Sequence, residues 1–206
     1  MTQEEMIFDG PEDGVTVVLA HGAGAPMDSA PMNAIARGLT AGGVRVARFE
    51  FPYMRQRRET GARKPPDREP VLLDTWRAAI AALGGGERLV IGGKSMGGRM
   101  ASRIADEAGV RGLVCLGYPF HPPGQLERLR VAHLKDLRTP TLILQGTRDP
   151  FGTREEVSGY DLSPSIRIHW LEDGDHSFKP RAASGRTEKG NLQEAVDSIL
   201  QFLDNL

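Results

Sequence analysis

Ser95 stands in Gly93-Lys94-Ser95-Met96-Gly97, a serine with a glycine two residues to either side, directly after the apolar run Leu89-Val90-Ile91-Gly92. In that context the pattern predicts a sharp strand-to-helix turn that strains the serine backbone and presents its hydroxyl. The flanking glycines permit a close backbone approach that larger side chains would block. A serine hydroxyl is a weak nucleophile until a base takes its proton, and the base needs an orienting acid. Downstream, Gly146-Thr147-Arg148-Asp149-Pro150 and Asp173-Gly174-Asp175-His176-Ser177-Phe178 each follow an apolar run. Together Ser95, Asp149 and His176 are a set suited to attack on an acyl carbonyl. The oxyanion formed by that attack needs backbone N–H donors. Met96, opening the helix after the turn, would supply one. Ala23, in His21-Gly22-Ala23-Gly24, would supply the other, with Gly22 and Gly24 shaping its loop.

Other readings of these residues are weaker. A phosphate-binding loop ending at Gly93-Lys94-Ser95 would need glycine at position 88, which is Arg88. Asp149 alone reads as a turn residue before proline, and His176 alone as a loop histidine; order and placement make them a set. Lys94 and His121 are candidates for contact with substrate. Lys94, with the arginine-rich segment Pro52–Pro70, reads either as a cation for an anionic acyl or leaving group, or as the partner of a local carboxylate beside a solvated loop. His21 is expected to anchor its loop through hydrogen bonds, while His133 and His169 are expected to be structural. Cys115, the single cysteine, lies within Gly112-Leu113-Val114-Cys115-Leu116 and reads as a small buried hydrophobe. No metal-ligand spacing stands out, and no cofactor is implied.

These residues need elements to position them, and the chain supplies an alternation. Apolar runs at Val15–Ala20, Val44–Phe49, Leu89–Gly92, Gly112–Leu116, Thr141–Gln145 and Ile166–Trp170 read as strands covered on both faces. Between them lie helical stripes: Met32, Ile35 and Leu39; Leu72, Trp76, Ile80 and Leu83; Met100, Ile104 and Ala108. A last stripe, Leu192, Val196, Ile199 and Leu203, lies near the C-terminus. Alternation of this kind predicts an α/β fold with a doubly wound, mainly parallel sheet of about six or seven strands. Ser95, Asp149 and His176 would then all lie beyond the C-terminal ends of strands, the edge where such sheets bind ligands. Pro52–Pro70 and Ser177–Gly190 read as surface loops. The roughly 24 residues between Leu116 and Thr141 are too few for a separate cap domain.

Composition agrees with one folded domain spanning residues 1–206. Of its residues 39% are hydrophobic and 26% charged, and 26 basic against 27 acidic side chains leave a net charge of −1. That balance argues against wholesale nucleic-acid or membrane-surface binding. The N-terminus has neither the basic nor the apolar region of a signal peptide, which predicts a cytoplasmic protein. The expected partner is a small-molecule acyl substrate, and nothing in the sequence indicates an oligomeric state. The 25 glycines are an excess, and many gather around the two loops proposed to carry chemistry.

Over nearly its whole length the sequence resembles the α/β-hydrolase superfamily. The resemblance is carried by Leu19-Ala20-His21-Gly22-Ala23-Gly24-Ala25, Phe49-Glu50-Phe51-Pro52-Tyr53-Met54 and Gly92-Gly93-Lys94-Ser95-Met96-Gly97-Gly98-Arg99. Leu116-Gly117-Tyr118-Pro119-Phe120-His121-Pro122-Pro123-Gly124, Gln145-Gly146-Thr147-Arg148-Asp149 and Asp173-Gly174-Asp175-His176-Ser177-Phe178 complete it. Within the superfamily it is similar to the small testis-expressed-30 and NSL-complex-subunit hydrolase-like group. The resemblance implies a three-layer α/β-hydrolase fold and a serine hydrolase of the carboxylesterase kind. Thioesters and amides are further candidate substrates. That group also holds scaffold proteins, so a non-catalytic interaction protein is the alternative.

Overall fold

A computed structural model describes residues 1–206. Its strands are β1 (Ile7–Asp9), β2 (Thr16–Ala20), β3 (Arg45–Phe49), β4 (Leu89–Lys94), β5 (Gly112–Leu116), β6 (Thr141–Gly146) and β7 (Ile166–Leu171). They form one sheet in the order β1-β3-β2-β4-β5-β6-β7. Only β1 runs antiparallel, against β3; every other neighbouring pair is parallel. The helices are α1 (Ala30–Ala41), α2 (Pro52–Thr60), α3 (Glu69–Ala82), α4 (Met96–Ile104), α5 (Arg154–Val157) and α6 (Glu188–Asp204).

The period of two along each strand sorts the core into two layers. Val17 and Leu19 of β2 pack with Met32, Ile35 and Leu39 of α1 and with Val196 and Ile199 of α6. Val18 and Ala20 face the other way, toward Trp76 and Ile80 of α3 and Met100 and Ile104 of α4. β2, β5 and β6 are buried at every position, which accounts for their uninterrupted apolar runs. The result is the three-layer, doubly wound α/β-hydrolase architecture anticipated above, without a separate cap. Between β5 and β6 the chain forms only one short 3-10 turn, Ala132–Leu134.

The strand order places the candidate residues. The chain leaves β2 for β3 on one side, then crosses back to β4 on the other. The loop after β2 and the turn after β4 therefore flank the point where winding reverses, where a crevice opens at the strand ends. The first of these loops carries Gly22–Gly24 and the second carries Ser95.

One expectation is overturned. Pro52–Pro70 is not one surface loop: Pro52–Thr60 is a helix, and α3 begins at Glu69. Proline at the first helical position presets the backbone, and Gly61 caps the end in the left-handed region at φ 72°. Only Tyr53 and Met54 of α2 are buried, so its apolar stripe is too short to register as a period. Ser177–Gly190 is irregular apart from the turn Ala182–Ser184 and the start of α6. No helix is long and apolar enough to cross a membrane.

Candidate active site

Backbone packing fixes Ser95. Gly93 has φ +147°, and a Cβ there would lie 2.1 Å from the Ala20 carbonyl oxygen; a Cβ on Gly97 would lie 2.5 Å from the same atom. Neither gap admits a side chain, so β4 and α4 close directly onto β2. Trp76 of α3 clamps the turn from outside, donating from Nε1 to the Gly97 carbonyl (3.3 Å). Within this vice Ser95 takes φ 49° and ψ −111°, a strained conformation for a residue with a side chain. Its N–H donates to Leu116 O (3.0 Å).

The hydroxyl of Ser95 lies 2.9 Å from Nε2 of His176, and His176 Nδ1 lies 2.7 Å from Oδ2 of Asp149. A carboxylate only accepts, so Nδ1 carries the imidazole proton and Nε2 is left to accept from Ser95. Asp149 is fully buried, and its oxygens are satisfied: Oδ1 accepts from the Phe151 N–H and Oδ2 also accepts from Gln145 Nε2, both at 2.9 Å. Gln145 is itself buried and accepts from the Tyr118 N–H (2.7 Å), which ties the acid to β6 and to the loop after β5.

The loop bearing His176 is held by side chains. Besides Ser95, the only non-glycine residues with positive φ are Asp173 (55°) and Phe178 (69°), on either side of His176. The Asp173 carboxylate accepts from the Arg181 guanidinium and backbone N–H, and Arg148 donates to the Asp173 carbonyl (3.0 Å). Hydrogen bonding to Arg181 holds the Asp173 carboxyl down at about 2. Lys94 reaches from the elbow to donate through Nζ to the His176 carbonyl. Burial lowers the Lys94 ammonium to about 8, opposed by the nearby Asp149 and Asp175 carboxylates. The Phe151 ring covers the imidazole at 4.2 Å between centroids.

Across the strand ends, His21 is buried; its Nε2 accepts from the Phe51 N–H (3.1 Å) and its Nδ1 donates to Gly22 O (2.7 Å). Burial lowers its pKa, which keeps the ring neutral for this role. Tyr53 Oη donates to the Ala23 carbonyl (3.0 Å). The Ala23 N–H donates to no protein acceptor. Met96, as the first residue of α4, has no acceptor one turn earlier in the helix for its own N–H. A cavity of about 400 Å³ opens beside these groups. Gly22, Ala23, Gly24, Lys94, Ser95 and His176 line its polar end, and Met32, Ile35, Leu116, Phe178 and Leu192 its apolar walls.

Several sequence-derived assignments land elsewhere. His121 does not line this cavity; it is buried, with Nδ1 on Pro122 O (2.9 Å) and Nε2 on Glu156 Oε2 (3.3 Å). Lys94 borders the cavity, but its ammonium is committed to the His176 main chain. The arginines of α2 are largely neutralised: Arg58 pairs with Asp28 and Glu50, and Arg55 with Glu5. His133 bonds Ser102 Oγ (2.8 Å) and His169 bonds Glu194 (3.0 Å). Cys115 is buried, and burial raises its thiol pKa. Gln145, Phe151 and Tyr53 support the site without having been singled out. A glutamine ending an otherwise apolar strand was the available signal for the first.

The family model for the alpha/beta hydrolase domain matches residues 13–204. Among solved structures, an alpha-beta serine hydrolase homologue from Coxiella burnetii superposes with a TM-score of 0.71 at 17% identity, covering 98% of this chain and 90% of its own. A lidless a/b serine hydrolase from Xanthomonas campestris gives 0.65 at 22% identity, over 94% and 88%. A monoacylglycerol lipase from Paleococcus ferrophilus gives 0.69 at 16% identity, over 97% and 98%.

Proposed function

We propose that this chain, which belongs to the alpha/beta hydrolase family, is a serine hydrolase that cleaves carboxylic esters. The observation that carries the reading is the unbroken hydrogen-bonded line from Ser95 through His176 to Asp149 at the mouth of a largely apolar cavity. Ser95 Oγ attacks the ester carbonyl carbon while His176 Nε2 takes its proton, and Asp149 stabilises the resulting imidazolium. The N–H groups of Met96 and Ala23 receive the oxyanion, aided by the positive end of α4. The tetrahedral adduct collapses as His176 protonates the departing alcohol. Water then gives its proton to His176 and attacks the acyl-enzyme, releasing the acid and restoring Ser95.

Within the family, the motifs around His21, Ser95 and Asp149 favour the small testis-expressed-30 and NSL-complex-subunit hydrolase-like group. Esters fit the reading better than amides, because an alcohol leaves with less assistance from the protein. The apolar walls fit a hydrocarbon or aromatic group. Steady-state hydrolysis of a short panel of 4-nitrophenyl esters, thioesters and anilides tests it. Turnover of esters above the other two classes is expected, lost on Ser95→Ala. Turnover that survives Ser95→Ala would exclude the mechanism.

A further inference from the structure

A second cavity, of about 340 Å³, meets the first at Ser95 and shares Ala23 and Phe151 with it. Its character differs. Arg99 of α4 and Arg130, from the segment between β5 and β6, both line it, with Leu72 and Met100 as its apolar wall. Asp67 and Glu69 also border it, and neither lies within ion-pair distance of Arg130. Asp67 Oδ2 accepts from the Tyr53 N–H (2.9 Å), and Glu69 is divided between Arg99 (3.0 Å) and Arg103 (3.5 Å). Arg130 pairs with no carboxylate, although it is half-buried. Its charged neighbours are the guanidiniums of Arg99 and Arg128, and burial together with these like charges lowers its pKa. Arg99 lines the cavity beside it, with its own guanidinium on Glu69 (3.0 Å). A half-buried cation with no carboxylate partner is costly unless an anion completes it.

The reaction geometry says which part of a substrate enters here. The leaving alcohol must take its proton from His176, and His176 lines the first cavity but not the second. The alcohol portion therefore sits in the apolar cavity, and the acyl portion runs the other way. Resting on the hydrolase reading above, we infer that the Arg99–Arg130 cavity receives the free carboxylate of the acyl group, so that the preferred substrates are hemi-esters of dicarboxylic acids. Hydrolysis of such an ester gives the alcohol and a dicarboxylate, with water supplying the hydroxyl and the proton.

The test compares 4-nitrophenyl hemi-esters of four- to six-carbon dicarboxylic acids with the same esters methylated at the free carboxyl. A charge-assisted hydrogen bond to a carboxylate predicts kcat/KM at least about tenfold higher for the best hemi-ester than for its neutral partner. Arg130→Gln should collapse that ratio toward one, and Arg130→Lys should restore part of it. A ratio near one in the wild type, or one unchanged in Arg130→Gln, would overturn the inference while leaving ester turnover and the hydrolase reading intact. Calorimetry with adipate on the Ser95→Ala protein separates the two in the other direction. Binding that weakens at least about tenfold on adding Arg130→Gln supports the anion site even if no ester is turned over. Adipate affinity independent of Arg130 counts against it.

Discussion

The two sides of the candidate site are built on different principles. On the β2–β4 side, Ser95 is placed by main chain packed against main chain, with glycines at Gly93 and Gly97 removing any side chain from the contact. On the β6–β7 side, Asp149 and His176 stand on loops held by side-chain hydrogen bonds: Gln145 to Asp149, Lys94 to the His176 carbonyl, Arg181 and Arg148 to Asp173. A nucleophile needs a fixed origin, which interlocked backbone supplies. A base must approach the hydroxyl, gain a proton and pass it on. A loop retained by several separable bonds tolerates that cycle better than a strand does. Side-chain anchors can also be removed singly and the consequence read in rate. The backbone anchors cannot be removed without the fold.

That contrast predicts different failures on the two sides. Gly97→Ala drives a methyl group into the Ala20 carbonyl and should cost about 3 kcal/mol of stability, read as a fall in Tm of several degrees. If Gly97→Ala kept its Tm and lost only activity, the nucleophile side would not be the rigid one. Gln145→Leu, of similar volume, leaves Asp149 with one fewer donor in a fully buried place. It should lower kcat by roughly ten- to a hundredfold, corresponding to a lost hydrogen bond to a charged group of about 1.5–3 kcal/mol, with a smaller loss of Tm than Gly97→Ala. An unchanged kcat would remove Gln145 from the positioning of the acid.

The smallest effect belongs to Lys94. Its ammonium sits at about 8 in the native protein and 10.5 when unmodified by the fold, so between those values the unfolded chain holds the extra proton. Stability should therefore rise with pH through that window, relative to Lys94→Met, by about 1 kcal/mol per pH unit near pH 9. Parallel stability profiles for the two proteins would mean that Lys94 is not buried under the His176 loop.

The sequence disclosed the Ser95 side of the candidate site more fully than the His176 side, for the same physical reason. Gly93, Ser95 and Gly97 are local in the chain, and their spacing encodes the turn that they make. The strands that set Ser95, Asp149 and His176 at one edge were legible because β2, β5 and β6 are buried on both faces. What holds the His176 side was not legible: Lys94 reaches the His176 carbonyl from 82 residues away, while Gln145 and Arg181 bond residues four and eight positions off through loop turns that no periodicity reports. His121 follows the end of β5 as a pocket residue would, yet its ring turns inward to Glu156; no spacing reports that rotation. The helix Pro52–Thr60 was hidden by its arginines, whose partners Glu5, Asp28 and Glu50 lie elsewhere in the sequence. The three-residue β1 is too short to carry a period.

On the proposed function, Ser95 is a nucleophile activated by His176. A fluorophosphonate captures such a serine covalently, and peptide mass spectrometry locates the adduct. One adduct per chain is expected, on Ser95, absent from Ser95→Ala and formed on the order of a hundredfold or more slowly in His176→Ala. Folded protein that takes up no label, or carries it on another residue, would exclude that role for Ser95 and leave the alternative of a non-catalytic interaction protein on the same fold.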